Sequence, residues 1–528
     1  MRWPWEKRTI DMADVHAGRV TLLHDGQPVK FQKRRFDAAQ FNRLTADWFA
    51  PSTAADIEIR NDLTTLRNRS RDMERNNPYY AGIIQTFADN IAGRGILPEP
   101  RIERNGVRDD VLNDAIKEGW WLWGKAKYCH AQRSLPIGQI ERQIVRSWWR
   151  DGEVFLRFNG GYSNGSGVPL TLNVLEADYC DHLFDGVNQE TGYKITSGVE
   201  HTEFGTPVAY WLYRQHPGNA RNLDMRRVRV DAREIVHVYV PYRPGQMRGF
   251  PEGAVALLRL KHLGGYEESE MVAARTAAAK MGFFYSDDGT PLGEDTQGKT
   301  FIESAPGTFE YLPPGVKFQG WDPQHPSGNM DPFVKTMLRG AAAGLSVSYE
   351  TFSKDYTDTT FFSARMSTVS ERDLWGIQTD WLSDILMSRI YEEHLRWGVI
   401  AGKYKIPDFM ERRDFYVDSC DWLGRGYDWV DPLKEIEADA AAVRYGFKTR
   451  TEVLAKRGKD FKDTIKALAE ENKQIQAAGL TLDTDGKLFA KLLDAAIAQG
   501  DGDEQSPEAE EAARNMGGKV IPMKGARA

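Results

Sequence analysis

Between Asp151 and Val240 the apolar residues recur with period two, and this stretch constrains the fold more than any other. Val154-Phe155-Leu156-Arg157-Phe158, Leu170 to Leu175, Val208 to Tyr213 and Ile235 to Val240 read as strands. Turn signals such as Asn164-Gly165 and Asp185-Gly186 separate them, and no helical pattern intervenes. Parallel strands need crossover helices, so these strands predict an antiparallel sheet within an α+β protein, not a doubly wound α/β domain.

Helical periodicity surrounds the sheet. Ala54 to Asn76 reads as a helix with Arg60, Arg67, Arg71 and Arg75 on one face. Asp62, Asp72 and Glu74 lie among them, which predicts a solvated, ion-paired face; nucleic-acid contact is the alternative. Asn76-Asn77-Pro78 ends that helix, and the next runs from Tyr80 to Ile91, stopping at Gly93-Arg94-Gly95. Asp109 to Gly124 carries Trp120, Trp121 and Trp123, read as core.

After Pro251, Glu252 to Met281 predicts a helix of about 45 Å at 1.5 Å per residue, with Gly264-Gly265 allowing a kink. Residues 282–330 are loop-rich, with short strands at Phe309 to Leu312 and Val316 to Phe318. Asp331 as N-cap and Pro332 at the first helical position start a helix that ends near Gly344. A polar-aromatic loop, Ser346 to Phe362, leads into a long helix from Ser363 to about Trp397, with Leu374, Ile377, Trp381 and Ile385 as its apolar stripe. From Pro432 to Ala498 the chain is Ala-rich and helical; from Gly500 it is acidic, poor in aromatics and expected to be disordered. Residues 1–50 read as a basic, aromatic arm.

Charge narrows the function classes. Lys and Arg number 69 against 76 Asp and Glu, a net charge of −7, which suits a nucleic-acid coat poorly. The N-terminus has no apolar signal core and the chain no run of about 18 apolar residues, so neither secretion nor a membrane span is expected. Cys129, Cys180 and Cys420 are far apart and predict reduced thiols.

Several motifs imitate chemistry. Gly293-Glu294-Asp295-Thr296-Gln297-Gly298-Lys299-Thr300 fits G-x-x-x-x-G-K-T, and a P-loop ATPase is the alternative reading it supports. That loop needs a following helix, but Pro306-Gly307 comes too soon, and Glu294 and Asp295 would sit inside the phosphate cradle. Gly161-Tyr162-Ser163-Asn164-Gly165 fits a nucleophile elbow, yet Gly165-Ser166-Gly167-Val168-Pro169 cannot supply its helix, so it predicts a hairpin loop. Asp151 with Glu153, or Glu176 with Asp178, could pair as in a glycan hydrolase, but strand-end turn chemistry explains them. The ten histidines form no metal-ligand pattern.

A set of segments in order resembles the portal proteins of lambda-like tailed bacteriophages. They are Arg75-Asn76-Asn77-Pro78-Tyr79-Tyr80-Ala81-Gly82 with Ile91-Ala92-Gly93-Arg94-Gly95-Ile96, and Arg150-Asp151-Gly152-Glu153-Val154-Phe155 with Leu175-Glu176-Ala177-Asp178. Ile235-Val236-His237-Val238 and Pro244-Gly245-Gln246-Met247-Arg248-Gly249 follow. The most specific is Ala341-Ala342-Ala343-Gly344-Leu345-Ser346-Val347-Ser348-Tyr349-Glu350, running on to Phe362-Ser363-Ala364-Arg365. Asp421-Trp422-Leu423-Gly424 and Trp429-Val430-Asp431-Pro432-Leu433-Lys434-Glu435 complete the series.

The resemblance implies a portal fold: an N-terminal arm (1–53), a wing (54–250), stem helix 1 (251–281), a clip (282–330) and stem helix 2 (331–345). A tunnel loop (346–362), a long helix returning to the wing (363–430), a crown (431–500) and a tail (501–528) follow. It further implies a structural, non-enzymatic subunit of a dodecameric ring at the unique capsid vertex, without catalytic residues, cofactor or metal. Partners implied are further copies of the chain, the large terminase subunit, major capsid and scaffold proteins, head-completion and tail connector proteins, and double-stranded DNA in the channel, with no membrane. The protein would reside in the virion, and in the host cytoplasm during assembly. Ser353, Lys354, Asp355, Tyr356, Thr357, Asp358 and Arg365 become the expected channel residues; Asp287, Asp288, Glu294, Asp295, Lys299 and Glu303 become the terminase-docking clip. An acidic ring repels DNA only within about 10 Å at 0.1 M salt, so a few cations, Lys354 first and Arg365 second, could brake the passing duplex.

Overall fold

The computed structural model describes residues 50–279, 282–286, 316–320, 330–427 and 432–479, apart from residues 105, 220–223 and 458, together with a few residues before 50. The chain divides into two units, residues 1–58 and 59–528. In the first, Leu23–His24 pairs antiparallel with Gln27–Pro28. The rest of the arm, most of the clip and the tail after residue 479 lie outside the described residues.

The second unit runs through α1 (Ala55–Asn76, which begins in the first), α2 (Pro78–Ile91), β1 (Leu97–Pro100), α3 (Asp110–Trp123), α4 (Ile137–Asp151), β2 (Glu153–Gly160) and β3 (Leu170–Glu176). It continues with β4 (Gly186–Val187), β5 (Lys194–Thr196), β6 (Val199–His201), β7 (Pro207–Tyr213), β8 (Arg227–Asp231), β9 (Ile235–Tyr239) and α5 (Ala254–Ala279). β10 (Gly282–Ser286), β11 (Val316–Gly320), α6 (Met330–Gly344), α7 (Tyr349–Ser353) and α8 (Phe361–Leu382) follow. A π-helical turn, Ser383–Met387, joins α8 to α9 (Ser388–Ile400); β12 (Cys420–Leu423), α10 (Pro432–Arg444), α11 (Arg450–Ala455) and α12 (Phe461–Ala477) end the described chain.

The architecture is α+β, and all the strand pairings within the sheets are antiparallel. One sheet has the order β9-β2-β3, the other β8-β7-β6-β5-β4. Among the described residues only single 3-10 turns at Ala177–Tyr179 and Ala232–Glu234 interrupt this region, as the period-two pattern requires. β5 and β6, three residues each, are too short to show that pattern; β8, Arg227-Val228-Arg229-Val230-Asp231, does alternate yet is not among the strands expected above. β1 pairs with β12 across more than three hundred residues, a pairing no local pattern announces. The main core lies among α2, α3, α4, α8, α9 and the β9-β2-β3 sheet; Phe87 stacks on Trp149 with ring centroids 3.5 Å apart, and Trp148 meets Trp381 at 4.8 Å.

Four local expectations need correction. Trp120 and Trp123 are buried, but Trp121 is 69% exposed with Lys125 Nζ 3.9 Å above its ring, because neighbours on a helix point about 100° apart. On α8 the buried row is Glu371, Trp375, Thr379 and Leu382, continued by Leu386 in the π-helical turn, whereas Ile377 is 69% exposed. The helix expected to start at Asp331 starts at Met330, which puts Asp331 and Pro332 inside its first turn. The Ser346–Phe362 segment is not all loop, since it contains α7.

The arginine face of α1 is ion-paired at Arg60, Arg67 and Arg71 but only partly solvated: Arg75 is exposed, Arg60 and Arg71 are half-buried and Arg67 is enclosed. Arg67 is buried: its Nε donates to Asp151 O at 3.0 Å and its guanidinium meets Glu153 Oε1 at 2.5 Å. Arg71 bridges Asp151 and Asp178, and Arg60 meets Asp185. From the far side Arg248, also buried, forks onto Glu153 and donates to the carbonyls of Ser197, Cys180 and Ala177. Gly249 N (2.8 Å) and His237 Nε2 (3.0 Å) complete the shell around Glu153. Burial alone would raise the Glu153 pKa, but Arg248 and Arg67 outweigh it and hold the carboxylate well below its usual range. Gly152 makes the corner before it: φ is 86°, and a Cβ there would lie 2.1 Å from the Phe250 carbonyl carbon.

Glu141 is the opposite case. It is fully buried with one donor, Ile96 N at 2.7 Å, and burial pushes its pKa up to about 8, so it keeps its proton at neutral pH.

Two outcomes follow. Glu153→Gln leaves two buried guanidiniums facing a neutral group and should cost about 3–5 kcal/mol in urea denaturation, while Arg157→Gln on the exposed side of the sheet should cost less than about 1 kcal/mol. For Glu141 the folded pKa exceeds the unfolded one, so the folded state holds the extra proton between about pH 4.5 and 8, and stability falls as pH rises through that window. Glu141→Gln, which cannot ionise, should gain thermal stability relative to the parent at pH 8 but not at pH 5; parallel pH profiles of Tm would contradict this.

Candidate functional site

The segment from Ser346 to Arg365 is held by hydrogen bonds that its own composition supplies. Ser346, at φ 57°, turns the chain out of α6. Ser348 caps α7, its hydroxyl accepting from Thr351 N at 3.2 Å. Glu371, buried on α8, takes both ends of this turn: one oxygen accepts from Ser348 N (2.7 Å), the other from the Thr351 hydroxyl (2.8 Å). Phe352 is buried, its ring stacked on Tyr79 with centroids 6.2 Å apart. Arg339 lies over the Tyr349 ring, its guanidinium carbon 5.2 Å from the centroid.

Lys354 closes α7 in the left-handed region, φ 60°, with its amide donating to Glu350 O at 2.9 Å. Glycine usually takes this position, and a side chain there costs on the order of 1 kcal/mol. The Lys354 Nζ reaches the Thr86 hydroxyl at 3.3 Å and meets no carboxylate among the described residues. Ser353 Oγ donates to Tyr349 O (2.7 Å) and accepts from Asp355 N (3.1 Å). Asp355 collects the Thr357 hydroxyl (2.6 Å) and amide (3.1 Å) and the Tyr349 hydroxyl (2.9 Å); these donors, Thr357 foremost, hold its pKa down at about 2. Tyr356 is exposed. Asp358 pairs with Lys335 of α6 at 3.1 Å, and Thr360 forms a reciprocal cap with Ser363 that starts α8.

Residues 353–358 are therefore a locally bonded segment, tied to α2 by Lys354 and to α6 by Asp358. Arg365 lies apart on α8 and pairs with Glu435 of α10 at 3.6 Å. The clip residues Asp287, Asp288, Glu294, Asp295, Lys299 and Glu303, and with them the Gly293–Thr300 motif, lie outside the described residues. Residues 161–169 form the β2–β3 hairpin loop, with Ser163 exposed and no helix after it. Asp151 and Glu153 are consumed by the buried arginines.

Two carboxylate groups draw near enough to suggest ion binding. Glu176 and Asp178 face His216, but its Nδ1 accepts from Gly218 N at 3.0 Å, which leaves the ring proton on Nε2, 3.0 Å from Glu176 Oε2. Arg71 and Arg150 also stand on these acids. Among Glu99, Asp460 and Asp463, Lys117 Nζ already provides a cation, 2.5 Å from Glu99 and 3.4 Å from Asp463. Sequence reading missed Glu371, Arg248 and Arg67 as organising residues. An acid on an otherwise buried helix row was the available signal for the first.

Antiparallel sheets, a helical core and a hydrogen-bonded segment between α6 and α8 are what the described residues build. The family model for the phage portal protein, lambda family, matches residues 41–378, and the chain belongs to that family. A probable portal protein of Halomonas phage phiHAP-1 is 28% identical over 460 residues, covering 85% of this chain and 88% of that protein. Portal protein B of Escherichia phage lambda is 22% identical over 491 residues, covering 83% and 89%. A solved structure of the neck of an empty gene transfer agent particle, computed with C6 symmetry, aligns with a TM-score of 0.43 at 15% identity over 75% of this chain and 93% of that one.

Proposed function

We propose that copies of this chain form a ring, a dodecamer, at one vertex of the capsid, through which a terminase motor drives double-stranded DNA and from which the DNA later enters the tail. The chain is then a conduit without catalysis of its own, and the ATP that powers packaging is hydrolysed by the partner. The reading rests first on family membership. Apolar surface left on the long helices supports self-association: Val255, Leu258, Met271 and Val272 on α5, and Phe362, Met366, Val369 and Ile377 on α8 are all exposed in a single chain.

In this reading residues 346–362 border the channel and 282–330 receive the terminase. The observation that carries the channel role is Lys354: a cation held at a left-handed helix end, with no carboxylate to neutralise it among the described residues, beside acids already committed to local donors. Arg365, paired with Glu435, is the weaker candidate for touching DNA. One lysine per subunit adds phosphate affinity in steps small enough to slow a duplex without arresting it.

Native mass spectrometry with negative-stain imaging of purified protein should show a ring of about a dozen subunits with a central hole and no ATP turnover. A monomer that hydrolyses ATP would return the reading to the Gly293–Thr300 loop. Lys354→Ala should leave the ring intact and change packaged-genome length or DNA retention; particles indistinguishable from the parent would remove Lys354 from the mechanism.

A further inference from the structure

A cavity of about 640 Å³ opens where α2 ends, bordered by α4, the segment after β12 and the segment after α11. Four arginines line it, Arg94, Arg142, Arg425 and Arg457, against a single carboxylate, Asp89. Two of the segments that carry the family resemblance, Ile91–Ile96 and Asp421–Gly424, meet here from far apart in the chain. Neither is used by the channel.

Glycines make the walls. Gly93 (φ 58°) and Gly95 (φ 120°) form the turn after α2, in backbone conformations that side chains rarely adopt. A Cβ on Gly424 would lie 2.9 Å from Thr379 Cγ2, and one on Gly426 2.2 Å from the Arg457 carbonyl carbon. The chain segments thus approach closely, and glycines, Leu97 and Leu423 line the cavity beside the arginines.

Part of the arginine set has structural duty. Arg425 donates to Asp89 O (2.6 Å) and Asn90 Oδ1 (2.8 Å) at the end of α2, and Arg142 pairs with Asp89 and donates to Gly93 O at 3.2 Å. Arg94 is exposed and has no ion-pair or hydrogen-bond partner among the described residues. Arg457 arrives from a different part of the chain. Asp89 also accepts from Gln85, so the one acid is heavily shared, and the cavity keeps a positive excess in a chain whose net charge is −7.

We infer that this cavity is a phosphate-binding site, and that its natural ligand is the backbone of double-stranded DNA outside the narrowest part of the channel. Arginines brought to one cavity by four chain segments suit a tetrahedral phosphate, which accepts from several directions; a planar carboxylate is satisfied by one fork. The phosphate chemistry stands on the cavity alone. The duplex as its source rests on the conduit reading above. A bound phosphate would also tie the Arg457 segment, which leads into α12, to the helical core.

The test uses the full chain and two probes: a labelled duplex of about 30 base pairs followed by anisotropy across a salt series, and inorganic pyrophosphate followed by calorimetry. Arg94→Ala combined with Arg457→Ala should weaken duplex binding at least tenfold and make the slope of log K against log salt shallower by about two. Pyrophosphate binding should be lost in parallel. Arg94→Lys keeps the charge but not the fork, and should fall between parent and double variant. Lys354→Ala should leave pyrophosphate binding untouched, which separates this site from the channel.

If the double variant keeps its fold by circular dichroism and binds both probes as the parent does, the inference is overturned. If the parent binds pyrophosphate through these arginines but not the duplex, the phosphate site stands while DNA as its source falls. That result leaves the ring, tested by particle mass, unaffected.

Discussion

Everything around the sheets depends on one ionised carboxylate, Glu153, enclosed by two buried arginines. Arg67 comes from the first long helix and Arg248 from the segment that precedes α5, and both converge on the first residue of β2. A buried ion is tolerated only when its lone pairs are matched, and here Arg67, Arg248, His237 and the Gly249 amide do so. The same carboxylate therefore sets where α1, the sheet and the segment before α5 meet. A well-packed apolar replacement could stabilise the chain as much, but it would not dictate this geometry as narrowly.

The segment between α6 and α8 uses the same device at lower burial. Glu371 grips the first turn of α7 from the neighbouring helix, and Asp355 gathers three local donors. With these acids occupied, the Lys354 Nζ meets the Thr86 hydroxyl and no carboxylate among the described residues. The arginine cavity repeats the theme on a larger scale, with charge left over once the end of α2 has been capped. An acidic ring protein would meet DNA at a few chosen cations, not across a basic surface.

Much of the fold was legible because it is periodic. The strands of the β9-β2-β3 sheet, the helices near residues 55–91, α5 and α6 all announce themselves through spacing and caps. What failed did so for geometric reasons. Trp121 and Ile377 are as apolar as their neighbours and simply point the other way on their helices. The arginine row of α1 looked like a solvated face because sequence shows charge and spacing but not what comes to cover them.

The sequence by itself determined the element types, the antiparallel sheet and the family, since each depends on local spacing or on short motifs in a given order. Tertiary structure alone decided which charges are buried and paired. Glu153 is ionised and Glu141 is protonated, although both are acids among apolar neighbours, because one meets two arginines and the other a single backbone amide. The arginine cavity was equally invisible, for its residues come from four separate parts of the chain. A carboxyl or guanidinium group takes its state from whatever lies within a few ångströms, and only the folded chain sets that distance.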